Sequence, residues 1–239
     1  MNLNKLIKAL ALAGLLGSGA AQAALVDRGG GMLYDDVLNI TWLQDANYAK
    51  TSGYDSDGYM TWSEAKTWAD NLTYGGYSDW RLASNTPVGA NWNYRCSFDG
   101  TADCGWNITS PNSELSYMFY VNLGLKSGRS ATGASQDGGG LFAGGAWDYQ
   151  KDVGLVHNLQ SQSYWYGTGC ELYGTGAGWW FFMETGWQRC MPEDLEASAW
   201  AVRPGDVATV PEPGSALLVG LGLAGLAALR RRRSLGVSS

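Results

Sequence analysis

Residues 61–82, TWSEAKTWADNLTYGGYSDWRL, constrain this fold more than any other stretch, because they dictate a helix and then, almost at once, a strand. Thr61 is a good N-cap, and Glu64 three residues on completes a capping box that satisfies two orphan amides. Ala65, Trp68, Ala69 and Leu72 recur at helical spacing, so one face is apolar and must be buried. Gly75-Gly76 reads as the stop, since glycine enters left-handed geometry cheaply. Residues 77–82 then read as a short aromatic strand, with Trp80 turned into the core and Asp79 and Arg81 turned outward.

The two ends are separate from whatever fold this unit belongs to. Residues 1–23 have the build of an export signal: Lys5 and Lys8, an apolar run over 9–16, and Ala21-Gln22-Ala23 as cleavage site. At the other end Val210-Pro211-Glu212-Pro213 breaks the chain, residues 216–229 carry no charge, and Arg230, Arg231, Arg232 and Arg233 close the span. The apolar run is short of the roughly 20 residues a bilayer-spanning helix needs, which leaves membrane anchor and buried helix both open. The arginines tip the balance toward an anchor over 214–229, with the folded part on the outer side.

The order Val-Pro-Glu-Pro-Gly, apolar span and arginine cluster resembles the PEP-CTERM sorting signal of Gram-negative bacteria. That resemblance implies retention in the membrane, processing by an exosortase, and association with exopolysaccharide or biofilm. It divides the chain into a signal peptide over 1–23, an exported domain over 24–206 and a sorting signal over 207–239.

Charge has to be counted without the ends. Six of the 16 Lys and Arg lie in them and none of the 22 Asp and Glu does, so the exported part carries a net charge of −12. A domain that acidic avoids nucleic acid and bare anionic membrane. It also holds all 12 Trp and all four Cys. Residues 33–42 read as a strand, and 51–58 as a turn-rich loop. Ser110-Pro111 opens a second helix, striped by Leu115, Met118, Phe119 and Leu123 and ended by Gly124. Residues 126–145 read as a flexible glycine-rich loop. Residues 153–159, 164–166, 179–183 and 198–203 are short, aromatic or branched strands. Two helices followed by a run of antiparallel strands predict an α+β domain.

Several of these pieces together resemble the DUF1566 family, also called the Lcl C-terminal domain. They are Gly31-Met32-Leu33-Tyr34-Asp35, Ile40-Thr41-Trp42, the Trp62 helix with Ala65 and Ala69, residues 76–82 (GYSDWRL), Tyr164-Trp165 and residues 199–203 (AWAVR). The likeness covers most of 25–206 and implies a fold similar to C-type lectin domains and to the formylglycine-generating-enzyme superfamily. Ala83 stands where the family has proline, and Tyr164-Trp165-Tyr166-Gly167-Thr168 departs from its Tyr-Trp-Ser-Ser-Thr type run. Trp42, Trp62, Trp80 and Trp200 occupy family positions that look structural.

Catalytic chemistry finds little to stand on. His157 is the single histidine, which leaves any histidine triad or zinc site of the H-E-x-x-H kind incomplete; placed among Val153, Leu155, Val156 and Leu159 it reads as a strand residue. Asp55-Ser56-Asp57-Gly58 begins like a calcium loop, but Tyr59 and Lys66 stand where an EF-hand needs ligands, so it reads as a turn. No metal, cofactor or catalytic residue is therefore assigned. Export favours disulfides, and short loop closure favours Cys96–Cys104 and Cys170–Cys190 among the three pairings that four cysteines allow.

Aromatic rings remain. Trp92, Tyr94, Trp106, Trp147, Trp165, Trp179, Trp180 and Trp187 are more than a core of this size absorbs, and sugars stack on such rings. The second half alternates glycines with aromatics, so Trp147, Trp165, Trp179 and Trp187, with Asp148 and Glu184 as hydroxyl acceptors, are the candidate ligand residues. The expectation is a non-catalytic surface or matrix protein whose candidate partners are exosortase, the membrane through the tail, and a polysaccharide. Against it stand a formylglycine-generating type of oxidase using paired cysteines, and a purely structural biofilm protein.

Overall fold

The structure, a computed structural model, describes residues 25–141, 150–172 and 176–207. The expected anchor over 214–229, the sorting motif from Val210 to Arg233, and the signal peptide lie outside the described residues. Among the described residues no helix is long and apolar enough to cross a membrane.

The described chain is mixed α and β, and mostly sheet. One five-stranded sheet gathers the two ends of the domain. It contains β1 (Leu25–Asp27), β2 (Met32–Asp35), β3 (Ile40–Leu43), β12 (Ala201–Pro204) and β5 (Arg81–Leu82), in that spatial order and antiparallel throughout. A second sheet runs β10 (Trp187–Pro192), β9 (Ala177–Phe182), β8 (Ser163–Gly169), β11 (Ala197–Ser198) and β4 (Tyr59–Met60). Its β8–β11 pair is parallel, through Ser198 and Tyr164. The hairpin β6 (Gln150–Val153) and β7 (Val156–Gln160) stands apart.

The 61–82 unit forms much as its residues dictate, with two corrections. Helix α2 (Trp62–Asp70) follows the short α1 (Tyr48–Thr51), and its capping box is complete: Thr61 N–H donates to the Glu64 carboxylate at 3.0 Å, and Glu64 N–H to Thr61 Oγ1 at 3.4 Å. Ala65, Trp68 and Ala69 are buried. The helix, however, ends before the glycines. Asn71 caps it and its side-chain amide donates to the Thr67 carbonyl at 2.8 Å, satisfying one of the acceptors a helix end leaves open. Gly75 and Gly76, at φ of 62° and 84°, instead form a two-residue turn across which Tyr74 and Tyr77 exchange backbone hydrogen bonds of 3.0 Å. Of the strand expected over 77–82 only Arg81–Leu82 pairs, because Asp79 turns aside to bind Arg203 at 2.8 and 2.9 Å.

Other corrections share one cause, turn chemistry inside an apolar run. Residues 33–42 are a hairpin: the Asp35 carboxylate accepts from Val37 and Leu38 N–H at 3.1 and 2.9 Å, and Asn39 takes φ of 51°. Residues 153–159 divide likewise at Gly154, φ 58°. The second helix, α3 (Glu114–Tyr117), begins at Ser113 rather than Ser110 and widens into a π-turn over Met118–Asn122. It buries Leu115, Met118 and Phe119. The loop after it is pinned, not loose, as far as it is described: Gly128 N–H donates to Thr185 O at 2.8 Å and Gly140 N–H to Lys126 O at 2.7 Å. Strand β10 and helix α1 had no periodic signal in the sequence.

Trp80 is 3 % exposed, and Arg81 binds Glu114 through two hydrogen bonds of 2.8 Å while Glu114 also accepts from Ser84 N–H. Trp80→Ala should lower the unfolding free energy by about 3–5 kcal/mol as a large-to-small core change. Arg81→Ala should cost about 1–3 kcal/mol, since it strands a nearly buried carboxylate. Urea unfolding of the two variants checks the order.

Acid stability has a defined source. Hydrogen bonds from Arg203 to Asp79 and from Arg28 to Asp206, at 2.8 and 2.6 Å in the second pair, hold both carboxyls below their ordinary pKa. A carboxyl depressed on folding contributes stability fully present above its unfolded value, about pH 4, and lost as pH falls through the lower folded value. Asp79→Asn combined with Asp206→Asn should therefore flatten the acid limb of a melting-temperature profile below about pH 4. An unchanged limb would place the acid sensitivity elsewhere.

Candidate functional site

The long irregular passage between β5 and α3 is built around one buried carboxylate. Asp103, 1 % exposed, accepts from the backbone N–H groups of Val88 and Asn93, both at 2.6 Å, and so folds the passage back on itself. The Cys96–Cys104 disulfide closes the same bend, and Ser97 N–H reaches Cys104 O at 2.9 Å. Gly105 then pairs with Gln188 on the outer edge of β10 through two backbone bonds of 2.8 and 2.9 Å. Only glycine serves there: φ is 128°, and a Cβ would strike the Ser97 backbone.

Beneath lies a satisfied polar junction. The Gln188 amide, fully buried, donates to Asp103 O at 2.8 Å and accepts from the Tyr166 hydroxyl at 2.6 Å; that hydroxyl accepts from Ser116 N–H at 3.1 Å. Burial pushes the Tyr166 hydroxyl far above its ordinary pKa, so it stays a donor. The loop is thus fastened to β8, β10 and α3 before any ring is considered.

The rings form two groups on this frame. Trp92 and Tyr94 both stack on Trp179, with centroids 5.1 and 5.7 Å away. Phe98, Trp106, Trp187 and Phe182 form a continuous stack with successive spacings of 5.1, 5.3 and 4.9 Å, and the Arg189 guanidinium lies 4.9 Å from the Trp187 ring. Trp92, Tyr94, Trp106 and Trp187 are half-buried and Phe98 is 40 % exposed. Asn91 and Asn93, alternating with Trp92 and Tyr94, are exposed. Between the groups sits a cavity of about 60 Å³ lined by Tyr94, Leu172, Trp179 and Arg189 together with Cys96, Cys104 and Cys190.

This arrangement corrects the sequence-based choice of residues. Trp165 and Trp179 have no exposed surface. They lie on β8 and β9, interior strands of their sheet, where both faces are covered; Trp165 donates its indole N–H to Met60 O at 2.8 Å. Neither can present a ring to a ligand. Trp187 is half-buried with neighbours stacked on it, and Glu184 is half-buried in the β9–β10 turn, away from Trp92 and Tyr94. Trp147 and Asp148 lie outside the described residues. The rings that remain accessible, Trp92 and Tyr94, belong to the first half, where an Asn-Trp-Asn-Tyr alternation beside a cysteine was the available signal.

Other candidates fall into structural roles. His157 stands exposed on β7 with Nδ1 3.0 Å from the Asp152 carboxylate. Asp55 closes a turn by accepting from Asp57 and Gly58 N–H at 3.0 and 2.7 Å. Both expected disulfides are formed, and no described cysteine is free. Two consequences can be measured. Thiol titration of the denatured protein should find none before reduction and four after. Cys96→Ser with Cys104→Ser should cost about 2–3 kcal/mol, the closure entropy of a loop this short.

Compared with known families, residues 209–233 match the PEP-CTERM protein-sorting motif. No curated protein and no solved structure matches the chain. The motif marks an exported protein of a Gram-negative envelope that is processed by exosortase.

Proposed function

We propose that this is a non-catalytic surface or extracellular-matrix protein, held by its tail in the inner membrane until exosortase processes it, and that its lectin-like domain binds polysaccharide of the exopolysaccharide or biofilm matrix. The lectin-like reading rests on the sequence motifs that resemble DUF1566. The observation that carries the binding reading is the pair Trp92 and Tyr94, half-buried on Trp179 and alternating with exposed Asn91 and Asn93. Rings beside amides match a sugar, whose C–H face is apolar and whose rim is hydroxyl. A disulfide and a buried carboxylate already hold the loop, which reduces the entropy lost on binding.

The oxidase alternative needs thiols, and the pairing of all four cysteines weighs against it. A matrix protein with no discrete ligand is the other outcome a binding experiment has to separate. A glycan array probed with and without calcium makes that separation. Trp92→Ala and Tyr94→Ala should each weaken glycan binding at least tenfold while costing about 0.5–1.5 kcal/mol of stability, the worth of an aromatic pair. Trp165→Ala and Trp179→Ala should unfold the domain. No glycan bound by the intact protein would leave the purely structural reading standing.

Retention is testable by itself. A chain ended after Val207 should be recovered in the medium as folded protein, since Val207 is the last described residue and is buried. Persistence of that shortened chain in the membrane fraction would remove the tail as anchor.

A further inference from the structure

We infer that the cavity beside Tyr94 is a carboxylate site, and hence that the glycan on this surface is an acidic polysaccharide bearing uronate-type groups; the inference rests on the glycan reading given above. The cavity wall supplies donors. Trp179 lines it, is fully buried, and its indole N–H has no acceptor. Buried donors are nearly always paired, so an unpaired one at a cavity wall marks a place for an acceptor from outside. Arg189 brings a guanidinium to the same wall. No carboxylate stands among the lining residues, and Leu172 and the disulfide sulfurs make the rest apolar.

An ionised carboxylate suits that set because it only accepts and has two oxygens, one for the indole N–H and one for the guanidinium. Size points the same way. A cavity of about 60 Å³ holds roughly two waters at ~30 Å³ each, which is room for a carboxylate and too little for a sugar ring. The ring would then stay outside against Trp92 and Tyr94 while its substituent enters. The domain carries a net charge of −12, so the field of the protein as a whole does not attract such a polymer. Selectivity for it has to come from these local donors.

The test uses the full-length protein in detergent, with polygalacturonate, its fully methyl-esterified form and free galacturonate as probes, followed by calorimetry and tryptophan fluorescence. The acid polymer should bind at least tenfold more tightly than the ester. Arg189→Gln should bring that ratio close to one without weakening ester binding, and Arg189→Lys should restore part of it. Equal affinity for acid and ester would overturn the carboxylate site and leave the glycan reading intact. Absence of binding to either polymer would overturn both. Free galacturonate competing as well as the polymer, per carboxylate, would uphold the cavity but overturn the polysaccharide as its ligand.

Discussion

Everything in this domain depends on how Trp200 sits between the two sheets. Strand β11 ends at Ser198 in one sheet and β12 begins at Ala201 in the other, so the chain crosses from sheet to sheet in two residues. Trp200 fills the crossing. Its ring lies 4.7 Å from Trp42 and 5.8 Å from Tyr164, one partner from each sheet, and its N–H donates to Leu43 O at 2.7 Å. A fully buried indole with its donor satisfied welds two layers that make few other direct backbone links. The sheets need not be long because this joint fixes their relation.

The binding surface draws its rigidity from a different source. It lies on the far edge of the second sheet, where an irregular passage would ordinarily be mobile. Here Asp103, a disulfide, the Gly105–Gln188 pairing and two groups of stacked rings hold it. Most faces in the Phe98–Trp106–Trp187–Phe182 stack are occupied by neighbouring rings, so that stack is a brace. Accessible ring surface is left chiefly on Trp92 and Tyr94. A count of tryptophans cannot separate these roles, because both use the same residue type.

What the sequence made legible follows from whether a signal was local. The capping box at Thr61 and Glu64, the buried face of α2, the inward Trp80, the mixed α and β content and both disulfides rest on spacings of a few residues, and all were readable. Turns hidden in apolar runs were not, because Asp35 and Asn39 look like polar members of a strand until their side chains are seen bonding the backbone. Strand β10 escaped because Gln188 and Arg189 break any apolar alternation, while the buried Gln188 finds its partners far away in sequence. Choosing Trp165 and Trp179 as ligand residues failed on the same ground: burial of a ring is decided by what packs over it, which is long-range information.

The position of β12 has a bearing on biogenesis. It is the last strand in the chain yet a central one, lying between β3 and β5, and only a few residues separate it from the match to the sorting motif at 209. In a polypeptide translocated N-terminus first, β3 and β5 reach the far side with the slot between them empty. Their unpaired edges are open to mispairing until the very end of the chain arrives. Closure of that sheet is therefore a late, non-local event, and it takes place while the sorting signal is still at the membrane. Delivery of the tail and completion of the fold are in this way a single step.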